Sequence, residues 1–81
     1  MDKTVVAQTA RDIWAEALAS PIDEDSDYFG LGGHSFQALT IIAKLDAALG
    51  TRIPLVTIFD TPRFGDFVEC LTAQLGLAAS T

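Results

Sequence analysis

The chain has 81 residues, 49% of them hydrophobic, with eleven acidic residues against five basic ones for a formal charge of −6. Such a chain is one small domain, burying only roughly 60–65% of the surface it exposes when unfolded, so it has no room for a deep catalytic cleft. It is too apolar to be disordered, and its acidity argues against nucleic acid or an anionic membrane surface as partner and for partners with basic docking faces. Its single cysteine, Cys70, excludes an internal disulfide and most zinc sites, reads as a buried packing thiol, and suits a reducing cytoplasm. No signal sequence and no apolar run of membrane-spanning length is expected.

From Lys3 to Ala19 the apolar residues Val6, Ala10, Ile13, Trp14, Ala17 and Leu18 recur at helical spacing. Asp2 or Thr4 can cap the start, and Ser20-Pro21 ends the helix because the residue before proline leaves the α region. Pro21 to Gly33 is a connection longer than is usual between bundle helices. It carries Asp23, Glu24, Asp25 and Asp27, read as a solvated surface because the spacing lacks the alternation of a calcium loop. Tyr28 and Phe29 are expected to turn inward and pin the loop.

A second helix is predicted over 35–49, with Gly50 as its left-handed stop. It is apolar on two sides: Ala38, Ile41, Ile42, Leu45 and Leu49 form one stripe, and Phe36, Leu39, Thr40 and Ala43 form another. One stripe suffices for a core, so the second is a candidate partner surface. Arg52 to Phe59 is read as an extended connection running into a short helix at 57–60, since Pro54 and the lack of a pairing strand argue against a sheet. Thr61-Pro62 then reads as an N-cap followed by proline at the first helical position, opening a last helix over 62–75 with Phe64, Phe67, Val68, Leu71 and Leu75 inward and Gly76 as its end. The tail to Thr81 is expected to fray. The expected fold is all-α, a small four-helix bundle of three main helices and one short one, with the long loop between the first two strapped across it.

Chemistry concentrates at Gly32-Gly33-His34-Ser35. A serine hydrolase is excluded: adjacent residues at a helix start point apart, His34 is the only histidine, and the nucleophile elbow needs glycine where Gln37 stands. No lysine follows the glycines as a phosphate loop requires, and metal ligands are lacking. An ordinary N-cap is the plain reading of Ser35. The combination goes further: a double glycine that lets something large approach the backbone, a serine at the positive end of a helix, and an apolar stripe beginning at Phe36 suggest a serine that carries an anion.

The stretch Asp27-Tyr28-Phe29-Gly30-Leu31-Gly32-Gly33-His34-Ser35-Phe36-Gln37-Ala38 resembles the modification motif of peptidyl carrier proteins, the thiolation domains of nonribosomal peptide synthetases. Ile13-Trp14-Ala15-Glu16-Ala17-Leu18 looks like that family's first helix, and Ile53 to Pro62 like its approach to the third and fourth helices. His34 resembles the peptidyl branch more than the fatty-acid and polyketide carriers, which usually show aspartate there. Gly30, where a polar residue is common, and Phe36, where leucine is frequent, depart from the pattern.

The resemblance implies a single non-catalytic carrier domain over 1–81. It implies 4′-phosphopantetheine from coenzyme A on Ser35, with Gly33 and His34 as its setting, and aminoacyl or peptidyl thioesters as cargo. It implies a partner face of Phe36, Leu39, Thr40, Ala43, Val56, Thr57 and Phe59, with Phe59 leaning toward the core. The implied partners are a phosphopantetheinyl transferase and adenylation, condensation, thioesterase or tailoring enzymes, met by a cytoplasmic monomer. Two alternatives stay open: a carrier of aryl, β-hydroxyacyl or polyketide acyl groups, and a helical docking module with no prosthetic group, which rests on the second stripe alone.

Overall fold

A computed structural model describes residues 2–76; the expected fraying of the tail falls outside them. Four helices follow in chain order: α1 (Lys3–Leu18), α2 (Ser35–Leu49), α3 (Val56–Asp60) and α4 (Phe64–Gln74). The expected all-α bundle is present, with α1 packed against α2 and α4, and α3 against α4. Among the described residues no helix is long and apolar enough to cross a membrane.

The core is built around Trp14, fully buried on α1. Tyr28 and Phe64 meet its ring edge-on at centroid distances of 5.5 and 5.0 Å, and Phe67 lies tilted at 5.1 Å. Edge contacts of this kind add to the stabilisation from area burial, because the positive rim of one ring meets the negative face of another. The inward stripe of α2 is buried at all five expected positions. Thr72, which the apolar pattern of α4 passes over, is fully buried too, its hydroxyl donating to the Glu69 carbonyl. Cys70, expected to be buried, is only half-buried and accepts a hydrogen bond from the Gln74 amide at 3.5 Å.

Helix α1 starts as expected, the Asp2 carboxylate accepting from the Val5 N–H at 3.0 Å. It ends one residue before the expected position, because Ala19 turns left-handed at φ 52°. A non-glycine residue there brings its Cβ close to a carbonyl. Ala19→Gly is expected to stabilise the fold by about 0.5–1 kcal/mol, the relief of that contact exceeding glycine's larger entropy loss, and to raise Tm by about 2–8 °C in a thermal melt. An unchanged or lowered Tm would show that the left-handed turn carries no strain.

Two other boundaries differ from the expected ones. The short helix starts at Val56 because Leu55 already has helical dihedrals. The last helix starts at Phe64 and not at Pro62. The Tyr28 N–H donates to the Pro62 carbonyl at 2.7 Å and the Phe64 N–H to the Ser26 carbonyl at 2.8 Å, an antiparallel bridge centred on Asp27 and Arg63. These bonds hold Arg63 extended and recruit both groups away from a helical first turn. Thr61, read as the cap of α4, instead closes α3, its hydroxyl and N–H both donating to the Thr57 carbonyl. The same bridge straps the acidic loop across the bundle, with the Arg63 guanidinium paired to Asp25 and Asp66.

Candidate functional site

The loop before α2 is a compact series of turns. The N–H of Leu31 donates to the Asp27 carbonyl, that of Gly32 to Phe29 and that of Gly33 to Tyr28, while the Asp27 carboxylate accepts from the Gly30 N–H at 2.6 Å. Gly32 has φ 91°, a left-handed conformation that glycine alone adopts at little cost. Gly33 serves a different purpose. A Cβ on it would stand 2.5 Å from two carbons of the Tyr28 ring, so the space freed by the second glycine is filled by the protein's own tyrosine and is not room for an incoming group.

Of the two loop aromatics only Tyr28 turns fully inward; Phe29 stays 48% exposed. The Tyr28 hydroxyl donates to the His34 carbonyl at 2.6 Å, and burial pushes the phenol above its ordinary value of 10.0, so it stays a proton donor at neutral pH. His34 therefore contributes through its backbone: its carbonyl also accepts the Ala38 N–H, the first bond within α2, while its imidazole is exposed and caps nothing.

Ser35 is the first residue of α2, one position past the N-cap, so it is not the capping serine of the plain reading. It is exposed, and among the described residues its hydroxyl is engaged in no hydrogen bond. The N–H groups of Ser35, Phe36 and Gln37, free at any helix start, receive no side-chain cap. An exposed, unengaged hydroxyl stands over uncapped amides.

Next to it lies the second stripe of α2. Phe36 is 79% exposed and Leu39 52%, with Thr40 and Ala43 exposed as well. Val56 on α3 is exposed, but Thr57, expected on this face, is buried. Its hydroxyl accepts from the Gln74 amide at 3.3 Å, a contact with α4 that no local pattern discloses. Phe59 is half-buried and stacks on Phe29 at 5.8 Å, nearly parallel at 13°. Phe29 thus joins the apolar surface; its position in a loop gave no periodicity from which to read that.

Residues 8–71 match the family described as phosphopantetheine attachment site. The chain belongs to the phosphopantetheine-attachment family. Domains of this family carry covalent 4′-phosphopantetheine. The chain is 31% identical over 62 residues to tyrocidine synthase 3 of Brevibacillus parabrevis, covering 75% of this chain and 1% of that one. It is 36% identical over 56 residues to surfactin synthase subunit 3 of Bacillus subtilis, covering 68% and 4%. The chain spans a few per cent of the length of these curated relatives. Its fold matches a type-II acyl-carrier protein of Streptomyces verticillus involved in bleomycin biosynthesis, with TM-score 0.84 and 20% identity over 90% of this chain and 89% of that one.

The start of α2 fits the prosthetic group of the phosphopantetheine-attachment family. A phosphodiester there would meet free amide donors and the positive helix end, worth about 0.3–1 kcal/mol when exposed. No side chain competes for the amides.

Proposed function

We propose that this chain is a peptidyl carrier domain of nonribosomal peptide synthesis and that Ser35 is its attachment residue. The observation that carries the reading is the exposed Ser35 hydroxyl at an uncapped helix start, bordered by the apolar face of Phe36, Leu39 and Val56. In attachment, Ser35 Oγ bonds to the phosphorus that bears the pantetheine arm of coenzyme A, the pyrophosphate P–O bond breaks, the adenosine bisphosphate leaves, and the serine proton passes to a base of the transferase. The bound group supplies a terminal thiol for aminoacyl or peptidyl cargo.

The chain's own residues hold and present. Tyr28 and Gly33 fix the backbone on one side of Ser35; Phe36, Leu39, Thr40, Ala43 and Val56 offer partners an apolar footing, extended by Phe29 and Phe59. Tethering raises the effective concentration of the cargo at each partner, and no catalytic group is needed on the carrier. Adenylation, condensation, thioesterase and tailoring enzymes are the proposed partners, with a phosphopantetheinyl transferase for attachment. Cytoplasmic residence as a monomer is part of the proposal; the lone cysteine, which can form no internal disulfide, suits a reducing compartment. His34 favours peptidyl cargo over fatty or polyketide acyl groups.

Incubated with coenzyme A and a broad-specificity phosphopantetheinyl transferase, the apo-chain is expected to gain the mass of one phosphopantetheine, read by intact mass spectrometry. No gain would refute the carrier reading and favour a docking module without a prosthetic group.

A further inference from the structure

The first turn of α2 lacks the side-chain cap that usually secures a helix start, yet it must present the Ser35 hydroxyl in a fixed direction. Gln37 supplies a fastening of a different kind. It sits at the third helical position, where a glutamine ordinarily folds back onto its own N-cap backbone. Here it reaches away from α2, and its amide nitrogen donates to the Ala17 carbonyl of α1 at 2.8 Å, twenty residues back in the chain.

The Ala17 carbonyl is available for a reason written in the sequence. Its helical donor would be the N–H four residues on, and that residue is Pro21, which has none. The Ala19 N–H makes its ordinary bond to Ala15, and the left-handed turn at Ala19 sends the Ser20 N–H to Ala15 as well, so neither reaches Ala17. Gln37 takes the acceptor left over. Two residues separate it from Ser35, a rotation of about 200°, so the side chain that grips α1 and the hydroxyl that faces out project from nearly opposite sides of one turn. Its Oε1 is buried without a partner, a cost that a residue kept only for solubility would not carry.

We infer that Gln37 is a positioning residue for the modification of Ser35: by donating to Ala17 it locks the first turn of α2 onto the helix that carries Trp14. It acts from the α1 side, as the Tyr28 hydroxyl acts on His34 from the loop side. The inference rests on Ser35 being the attachment residue. Releasing the lock leaves most of the apolar footing intact, since Leu39, Ala43 and Val56 lie on later turns or on α3, but lets the hydroxyl wander from the line of attack. Turnover falls and carrier affinity stays.

The test compares the full chain with Gln37→Met, which keeps length and helix propensity but removes the donor, and with Gln37→Lys, which restores a donor near the C-terminal end of α1. Steady-state loading by the transferase, below the melting temperature of every variant, is expected to show kcat reduced about tenfold in Gln37→Met, the factor matching one net hydrogen bond, with KM for the carrier within about twofold. Gln37→Lys is expected to recover kcat to within about threefold of the parent. Equal kcat in Gln37→Met and the parent, or a loss that Gln37→Lys does not restore, overturns the inference. Amide hydrogen exchange supplies a readout independent of loading. Protection of the Ala38 N–H relative to Ile41 is expected to fall about tenfold in Gln37→Met and return in Gln37→Lys; unchanged protection also overturns it. If the parent itself is not loaded, the attachment reading fails, and exchange at Ala38 still decides whether Gln37 locks the turn.

Discussion

Ser35→Ala is expected to take phosphopantetheine loading from complete to undetectable while shifting Tm by no more than about 4 °C. The two outcomes are separable because the hydroxyl makes no contact that the fold uses: it is exposed, outside every hydrogen bond of the loop, and one position past the cap. A surface substitution of that kind stays within about 0.5 kcal/mol, and in a domain of this size each kcal/mol moves Tm by about 4–8 °C. Alanine also suits a first helical turn. Intact mass after exposure to transferase and coenzyme A reads the first outcome and a thermal melt the second. A mass gain on Ser35→Ala equal to that of the parent would assign attachment to another hydroxyl. Phe36→Asp supplies the contrast: with 79% of that residue already in water, its Tm should hold while loading slows, because what it removes is footing for the transferase and not the nucleophile.

How much of this was legible in sequence depends on whether the deciding contacts are local. The stripes of α2 were, because burial on a helix repeats with the turn: the five inward positions are buried and Phe36, Leu39, Thr40 and Ala43 are exposed. The Asp2 cap was, for the same reason. Thr61-Pro62 satisfied every local rule for a helix start and was overruled by bonds from a loop more than thirty residues earlier, which claim the Pro62 carbonyl and the Phe64 N–H. Thr57 was placed on the partner face by the family resemblance and by no pattern of its own, yet it is buried and its hydroxyl is held by Gln74 across the α3–α4 contact. Tyr28 and Phe29 are chemically alike to a pattern reader, and only the position of Trp14 separates the one that enters the core from the one that stacks outside. Gly32-Gly33 was correctly singled out as special, but the two glycines are needed for different reasons, and one of those reasons is an aromatic ring belonging to the same loop.

That difference makes Gly33→Ala the most damaging small change at the site. Gly33 has no left-handed backbone to strain; the added methyl meets the Tyr28 ring at 2.5 Å from two carbons and 2.7 Å from a third. The ring cannot yield cheaply. It is fully buried, held edge-on by Trp14 at 5.5 Å and by Phe29 at 5.4 Å, and anchored by its hydroxyl to His34. Overpacking of a fixed core group costs about 1–3 kcal/mol, and losing the hydroxyl's bond adds about 0.5–1.5 kcal/mol, so a total of about 1.5–4.5 kcal/mol is expected. In a thermal melt that is a fall of about 6–36 °C, and the free energy is a large share of what a domain of this size has. Gly32→Ala gives the internal comparison. Its φ of 91° penalises alanine by about 1–2 kcal/mol, but nothing lies within 4 Å of the new methyl, so the residue with the unusual backbone should be the milder substitution. A double-mutant cycle with Tyr28→Leu isolates the cause: with the ring gone, Gly33→Ala should lose at least half of its cost. If Gly33→Ala costs as much in the Tyr28→Leu background as in the parent, or less than Gly32→Ala, then the ring is not what requires the glycine. If the cycle holds, the backbone that carries His34 and Ser35 is set by the packing of one tyrosine against Trp14, and the proposed attachment site is as firm as the core beneath it.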